Sequence, residues 1–141
     1  MTLVKPAYAI YRILVVDDQT EMLTLLQRML KSIGFSQIWT ATNVQDALQM
    51  LNERPFNLLL TDYNMMGNTG LELVRKVRAG SPGWSTRADL PIIMITGHGE
   101  RDYVLAARQA GVSAFLVKPV SRDQLEEKAA AVLARVPPPA A

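Results

Sequence analysis

The chain contains no cysteine, so it can form neither disulfide bonds nor thiolate metal sites. It also has no run of about 18 or more apolar residues, the length that a membrane-spanning helix requires, and we therefore expect no contact with a membrane. The apolar stretch before Ala7-Tyr8-Ala9 is too short for a signal peptide, and Lys5 and Pro6 interrupt it. These absences favour a reducing, cytoplasmic location.

Basic blocks are also missing, because the 15 Lys and Arg residues are scattered and the net charge is only +2. We therefore expect no nucleic-acid partner for this chain. Its 141 residues, 49% of them hydrophobic, suffice for one domain with a full core. We assign residues 1–10 to an N-terminal extension, 11–136 to the domain and 137–141 to a proline-rich tail, and we find no internal repeat.

What the chain does have is a regular alternation of strand and helix patterns. Strands are predicted over residues 11–16, 37–41, 57–61, 91–96 and 113–118. The first helix is predicted to have Thr20 as its N-cap and to end at Gly34, with Met22, Leu26, Met29, Leu30 and Ile33 facing inward. Helices beginning at Asn43 and Gly70, one ending near Gly111, and one capped by Ser121 and running to Arg135 follow the other strands.

This alternation predicts an α/β fold, a doubly wound, five-stranded parallel sheet with helices on both faces and the flavodoxin-like strand order 2-1-3-4-5. In such sheets ligands bind beyond the carboxyl ends of the strands, at the point where the strand order reverses. For this order that point lies between the first and third strands. Their ends carry Asp17, Asp18 and Asp62.

Three carboxylates that converge at one sheet edge would repel one another unless a cation lay among them. Ligation by oxygen alone favours Mg²⁺, which is commonly held by one or two carboxylates and often serves phosphoryl chemistry. The hydroxyl of Thr96 and the ammonium of Lys118, at the ends of the fourth and fifth strands, suit a transferred phosphoryl group. Taken singly, most of these residues have an ordinary structural explanation, and only their joint arrangement indicates a site.

From about residue 12 to residue 135 the chain resembles the receiver domain of two-component response regulators. The resemblance rests on the acidic pair Asp17-Asp18, on Asp62 with Met65 and Gly70 at characteristic distances after it, on Thr96 followed by the small residue Gly97, and on Lys118-Pro119 with Phe115 three residues ahead of Lys118. Five positions in order on five alternating units make this a specific match.

The resemblance implies that Asp62 accepts a phosphoryl group from the phosphohistidine of a sensor histidine kinase or a histidine phosphotransferase, and that a small-molecule phosphodonor can serve as well. It implies Mg²⁺ bound by Asp17, Asp18, Asp62 and the backbone carbonyl of Asn64. Lys118 and Thr96 would contact the phosphoryl oxygens. Phe115 would then reshape the surface of the fourth helix, fifth strand and fifth helix for a downstream protein target. The protein would act as a phosphoacceptor, not as an enzyme.

Two departures from the family pattern lie beside these positions. Met66 stands where the family usually has proline, and His98 lies two residues beyond Thr96, a place from which relatives tune the lifetime of the phosphoryl group. Met66, Gly97 and His98 are therefore candidate modulators. Trp39 and Trp84 have no assigned role.

Several alternatives remain at the level of sequence. The chain could be a phosphate sink or phosphorelay intermediate, or the receiver part of a longer regulator that was cut at the prolines. From another class, a Mg²⁺-dependent phosphohydrolase that forms an aspartyl phosphate competes, although such enzymes place an Asp-x-Asp pattern on the first strand and this chain has adjacent Asp17-Asp18. A receiver-like adaptor that is never phosphorylated and a flavodoxin-type cofactor binder are weaker alternatives.

Overall fold

A five-stranded parallel sheet forms the centre of the computed structural model, which describes residues 8–65, 67–97, 99 and 101–139. Its strands are β1 (Arg12–Val16), β2 (Gln37–Ala41), β3 (Leu58–Thr61), β6 (Ile92–Thr96) and β7 (Ala114–Val117), in the order β2-β1-β3-β6-β7. A separate short antiparallel hairpin, β4 (Asn64–Met65) and β5 (Asn68–Thr69), follows β3. The hairpin lies outside the main sheet, so β6 and β7 are the fourth and fifth strands of that sheet. The predicted fold class and the predicted strand order 2-1-3-4-5 are therefore confirmed.

Five α-helices flank the sheet: α1 (Thr20–Ile33), α2 (Val44–Glu53), α3 (Gly70–Ala79), α4 (Arg101–Ala110) and α5 (Arg122–Leu133). Side chains of the central strands alternate between two buried layers, as the pleat of a strand requires. Ile13 and Val15 pack with α1 and α5, whereas Leu14 and Val16 pack with α2, α3 and α4. Because both sheet faces are covered, the strands carry almost uninterrupted apolar sequences.

The start of α1 differs from the sequence prediction. Gln19, not Thr20, occupies the N-cap position, and its side chain makes no capping hydrogen bond; Thr20 is the first helical residue. Leu26, Leu30 and Ile33 are buried as predicted, but the buried face also includes Leu23, and Met22 and Met29 are only partly buried. Gly34 ends the helix with a φ of 128°, as predicted.

The N-termini of α2 and α5 agree with the sequence. The Asn43 side chain accepts a hydrogen bond from the Asp46 amide, and Ser121 and Gln124 cap α5 reciprocally. Each cap satisfies backbone donors that a helix terminus would otherwise leave without partners. The predicted end of the last helix at Arg135 was two residues too late, since α5 ends at Leu133.

Aromatic residues at the periphery extend the two core layers. Tyr8, in a 3₁₀ turn from Tyr8 to Ile10, stacks on Phe35 with 4.4 Å between ring centroids. Trp39 meets Phe56 edge to face, and Trp84 packs half-buried against the core layer under α2 and α3. Both tryptophans therefore cover core edges. Of the helices in the described part of the chain, none is both long and apolar enough to cross a membrane.

Candidate functional site

The carboxyl end of β1 holds Asp17 in a fixed position. Its backbone amide donates to the carbonyl of Ala41, and its Oδ1 accepts a hydrogen bond from the Gln19 amide at 2.9 Å. Only 2% of Asp17 is exposed, so its carboxylate depends on nearby donors and cations for stabilisation. Asp18, the next residue, is half-buried.

Asp62 follows directly after β3, whose four residues are all buried. Its amide donates to the carbonyl of Val16 at 3.1 Å, which anchors it beside the end of β1. Its Oδ1 accepts a hydrogen bond from the Tyr63 amide at 2.8 Å. Burial raises the pKa of Asp62 above its ordinary value; Lys118 and the Tyr63 amide oppose this shift, and Asp17 and Asp18 add to it. The folded protein thus holds this carboxylate in an unfavourable electrostatic setting.

Lys118 reaches the carboxylates from the end of β7. Its Nζ lies 3.4 Å from Asp17 Oδ2 and 3.7 Å from Asp62 Oδ1, and its backbone amide donates to the carbonyl of Thr96 at 2.8 Å. The Lys118–Pro119 peptide bond is cis. The Lys118 ammonium offsets part of the negative charge of Asp17 and Asp62.

The donor set fits a hard divalent cation. Oxygen atoms of Asp17, Asp18 and Asp62 lie within 4.8 Å of one another, and an open cleft of about 560 Å³ adjoins them. The cleft is lined by Asp18, Gln19, Asp62, Asn64, Met65, Gly97 and Lys118. Carboxylate oxygens in such a cleft, which can also admit water, match the preferences of Mg²⁺. Asn64, whose carbonyl is the fourth predicted ligand, lines the cleft from β4.

Of the remaining predicted residues, Thr96 and Gly97 lie at the carboxyl end of β6, whereas Phe115 lies further back in the sheet, opposite Met94. Thr96 ends β6 and is 1% exposed, and Phe115 is half-buried in β7 against the core layer below α4. Gly97 lines the cleft. Met66 and His98, the other two candidate modulators, lie outside the described residues.

The structure adds two groups that the sequence did not suggest. Gln19 lines the cleft and its amide orients Asp17, and the Tyr63 amide orients Asp62. Both groups are backbone donors at residues that follow the acidic positions. The sequence shows that Gln19 and Tyr63 follow the acidic residues. The direction of their N–H groups, however, depends on local backbone angles that the sequence pattern does not reveal.

Residues 13–130 match the family model described as the response regulator receiver domain. The chain belongs to this family. It is 38% identical over 125 residues to the chemotaxis protein CheY of Pseudomonas aeruginosa, covering 89% of this chain and 98% of that protein. The chemotaxis protein CheY-3 of Vibrio cholerae is 35% identical over 117 residues, covering 83% and 87% respectively.

Solved structures of this family agree with the receiver fold. A putative response regulator from Chloroflexus aurantiacus superposes with a TM-score of 0.80 at 27% identity, over 89% of this chain and 98% of that one. A CheY-like receiver domain protein from Methanospirillum hungatei gives a TM-score of 0.78 at 28% identity, over 89% and 95%. The predicted family is thus confirmed.

A variant of Asp18 tests the candidate metal site of this receiver domain. We expect Asp18→Ala to weaken Mg²⁺ binding by about tenfold or more while the metal-free protein unfolds at a similar or higher temperature. Removing one of three crowded anions takes away a ligand but also relieves repulsion. Calorimetric Mg²⁺ titration and thermal denaturation in a chelator measure the two effects. A less stable metal-free protein with unchanged Mg²⁺ affinity would mean that Asp18 is structural.

Gly99 provides a second prediction, because a Cβ atom added there would lie 2.8 Å from Val117 Cγ2. The Val117 side chain cannot easily rotate away from the added methyl group, because valine is restricted at χ1. We therefore expect Gly99→Ala to lower the free energy of unfolding by about 1 kcal/mol. Val117→Ala should remove most of that cost in the double variant. Urea denaturation of the two single variants and the double variant checks this; additive losses would contradict it.

Proposed function

We propose that this receiver domain is a single-domain response regulator that accepts a phosphoryl group on Asp62 from a histidine kinase or histidine phosphotransferase. The observation that carries the proposal is the position of the Asp62 carboxylate, at the end of a fully buried strand, beside two other carboxylates and 3.7 Å from the Lys118 ammonium. Two named relatives are chemotaxis proteins that this chain covers over 98% and 87% of their length, which supports a comparable signalling role.

In the transfer, an oxygen of Asp62 attacks phosphorus, the new O–P bond forms, and the P–N bond to the donor imidazole breaks. Asp62 is presented in one orientation because the Tyr63 amide holds Oδ1, which lowers the cost of positioning the nucleophile. Lys118 lies close enough to pair with a phosphoryl oxygen as it arrives. Mg²⁺, bound among the three carboxylates, would neutralise charge on the transferring group. The protein itself supplies positioning and electrostatics.

The resulting aspartyl phosphate would act as a signal by favouring one of two conformations. Phosphorylation shifts such an equilibrium only as far as the phosphoryl group interacts better with one state than with the other. The backbone amide of Lys118 donates a hydrogen bond to the carbonyl of Thr96 where β6 and β7 end. Phe115 lies in β7, three residues before Lys118. Leu105 on α4 and Val117 on β7 are large exposed apolar residues, 39% and 44% exposed, and suit contact with a protein target.

Incubation with acetyl phosphate tests the phosphoacceptor role. We expect Mg²⁺-dependent incorporation at one residue, mapped to Asp62 by mass spectrometry after borohydride trapping. A chelator should prevent incorporation. Repeated turnover of phosphomonoesters, with many phosphates released per protein, would favour the phosphohydrolase alternative instead.

A beryllium fluoride complex with Mg²⁺ tests the output. If the phosphoryl group switches the surface formed by α4, β7 and α5, amide resonances should shift around Thr96, around Phe115, and in residues 101–108 and 121–127. These segments lie on the side that would meet the target. Changes confined to Asp17, Asp18 and Asp62 would instead make the protein a phosphate sink or relay intermediate.

A further inference from the structure

An aromatic contact links the loop after Asp62 to helix α4. The rings of Tyr63 and Tyr103 meet edge to face, with 4.8 Å between centroids and 74° between ring planes. This arrangement is favourable for two aromatic quadrupoles. Tyr63 directly follows Asp62, and Tyr103 lies in the first turn of α4, so the contact joins two segments 40 positions apart in the sequence.

The backbone of Tyr63 is held at both of its polar groups. Its amide donates to Asp62 Oδ1 at 2.8 Å, and its carbonyl accepts a hydrogen bond from the Gly70 amide at 2.7 Å. The ring is half-buried against the core layer under α3 and α4. The contact with the Tyr103 ring adds a third restraint to these two hydrogen bonds, and it limits movement of the residue whose amide orients the Asp62 carboxylate.

We propose that Tyr103 is a positioning residue, which holds the Asp62 carboxylate in its metal-binding and phosphate-accepting orientation through the ring and backbone amide of Tyr63. Neither tyrosine lines the cleft around Asp62, so the pair acts on the carboxylate indirectly and does not obstruct a small phosphodonor. Because the same contact places Tyr63 against α4, it provides a mechanical connection between Asp62 and that helix. This inference rests on the proposed function of Asp62 as phosphoacceptor.

The physical reason is pre-organisation. Without the Tyr103 ring, Tyr63 can adopt other rotamers, and Asp62 must be ordered anew whenever Mg²⁺ or a phosphoryl group binds. Edge-to-face pairs contribute enough that we expect the affinity for Mg²⁺ to fall about two- to tenfold when either ring is removed. The acetyl phosphate reaction should slow by a similar factor.

A double-mutant cycle in the full chain tests this inference. The variants are Tyr63→Leu, Tyr103→Leu and the double variant, with Tyr103→Phe as the conservative replacement and Gln109→Ala as a matched exposed control on α4. Calorimetry measures affinity for Mg²⁺ alone, and acetyl phosphate labelling measures the rate. We expect both leucine variants to be weaker, the double variant to be no weaker than the worse single variant, and Tyr103→Phe and Gln109→Ala to match the wild type.

The outcomes separate this inference from the proposed function. If the wild type binds Mg²⁺ and is labelled at Asp62 but Tyr103→Leu behaves identically, the positioning role is wrong and the phosphoacceptor role stands. Strictly additive losses would also overturn it, because the two rings would then act separately. A loss in Tyr103→Phe as large as in Tyr103→Leu would overturn it as well, because the hydroxyl group and not the ring would then be responsible. A wild type that neither binds Mg²⁺ nor is labelled would overturn both proposals. Circular dichroism of each variant separates a folding defect from loss of positioning.

Discussion

Asp62→Asn is expected to abolish stable phosphoryl incorporation from acetyl phosphate in the presence of Mg²⁺. The amide is a poor nucleophile, and the neighbouring carboxylates do not share the position of Asp62 at the end of β3. Asp17 is almost fully buried and is bonded to the Gln19 amide, so it is poorly placed to take over. Radiolabel or mass measurement after a fixed incubation gives the result directly.

The controls for this variant follow from the electrostatics of the site. Metal-free Asp62→Asn should be at least as stable to heat as the wild type, because a partly buried carboxylate with a raised pKa is replaced by a neutral group. Asp46→Asn, at an exposed position near the start of α2, should incorporate phosphate like the wild type. Undiminished incorporation in Asp62→Asn would mean that another residue is the acceptor.

Gly70→Ala should be among the most destabilising single methyl additions in this chain, at about 3 kcal/mol or more. A Cβ atom at Gly70 would lie 2.0 Å from the backbone carbonyl oxygen of Asp62 and 3.1 Å from Met94 Cε. Backbone cannot move aside as a flexible side chain can, so the loop or α3 must shift. The shift would displace Asp62, and we expect Mg²⁺ affinity to fall along with the free energy of unfolding.

Gly97→Ala is the matched control for stability, since a Cβ atom there would have no neighbour within 4 Å among the described residues. We expect that variant to unfold within about 0.5 kcal/mol of the wild type in urea. A Gly70→Ala protein as stable as Gly97→Ala would show that the close approach of α3 to Asp62 relaxes easily. If Gly70→Ala were as stable as Gly97→Ala but no longer bound Mg²⁺, the added methyl group would disturb only the position of Asp62 and not the rest of the fold.

The sequence alone was sufficient for the fold and for the candidate residues of the site, because both depend on local patterns. Apolar strands such as Leu58–Thr61 alternate with helices, some of which end at glycine. This alternation of strand and helix predicts a parallel sheet whose strand ends lie at the same edge. Asp17, Asp62 and Lys118 were found because each directly follows such a strand, and Asp18 is the next residue after Asp17. Their meeting at one edge then follows from the topology, whereas the chemical role of each residue stays a prediction.

Tertiary structure decided what depends on distance and direction between segments that are far apart in sequence. The N-cap at Gln19, the short hairpin after Asp62, and the clearance at Gly70 follow from how the chain packs, and a residue pattern does not contain that information. The same holds for the pKa of Asp62: burial, which raises it, and the approach of Lys118, which opposes the rise, arise only when β1, β3 and β7 are assembled. The contact between Tyr63 and Tyr103 likewise exists only because the fold brings α4 to the segment that follows Asp62, and two separated tyrosines in a sequence predict no contact.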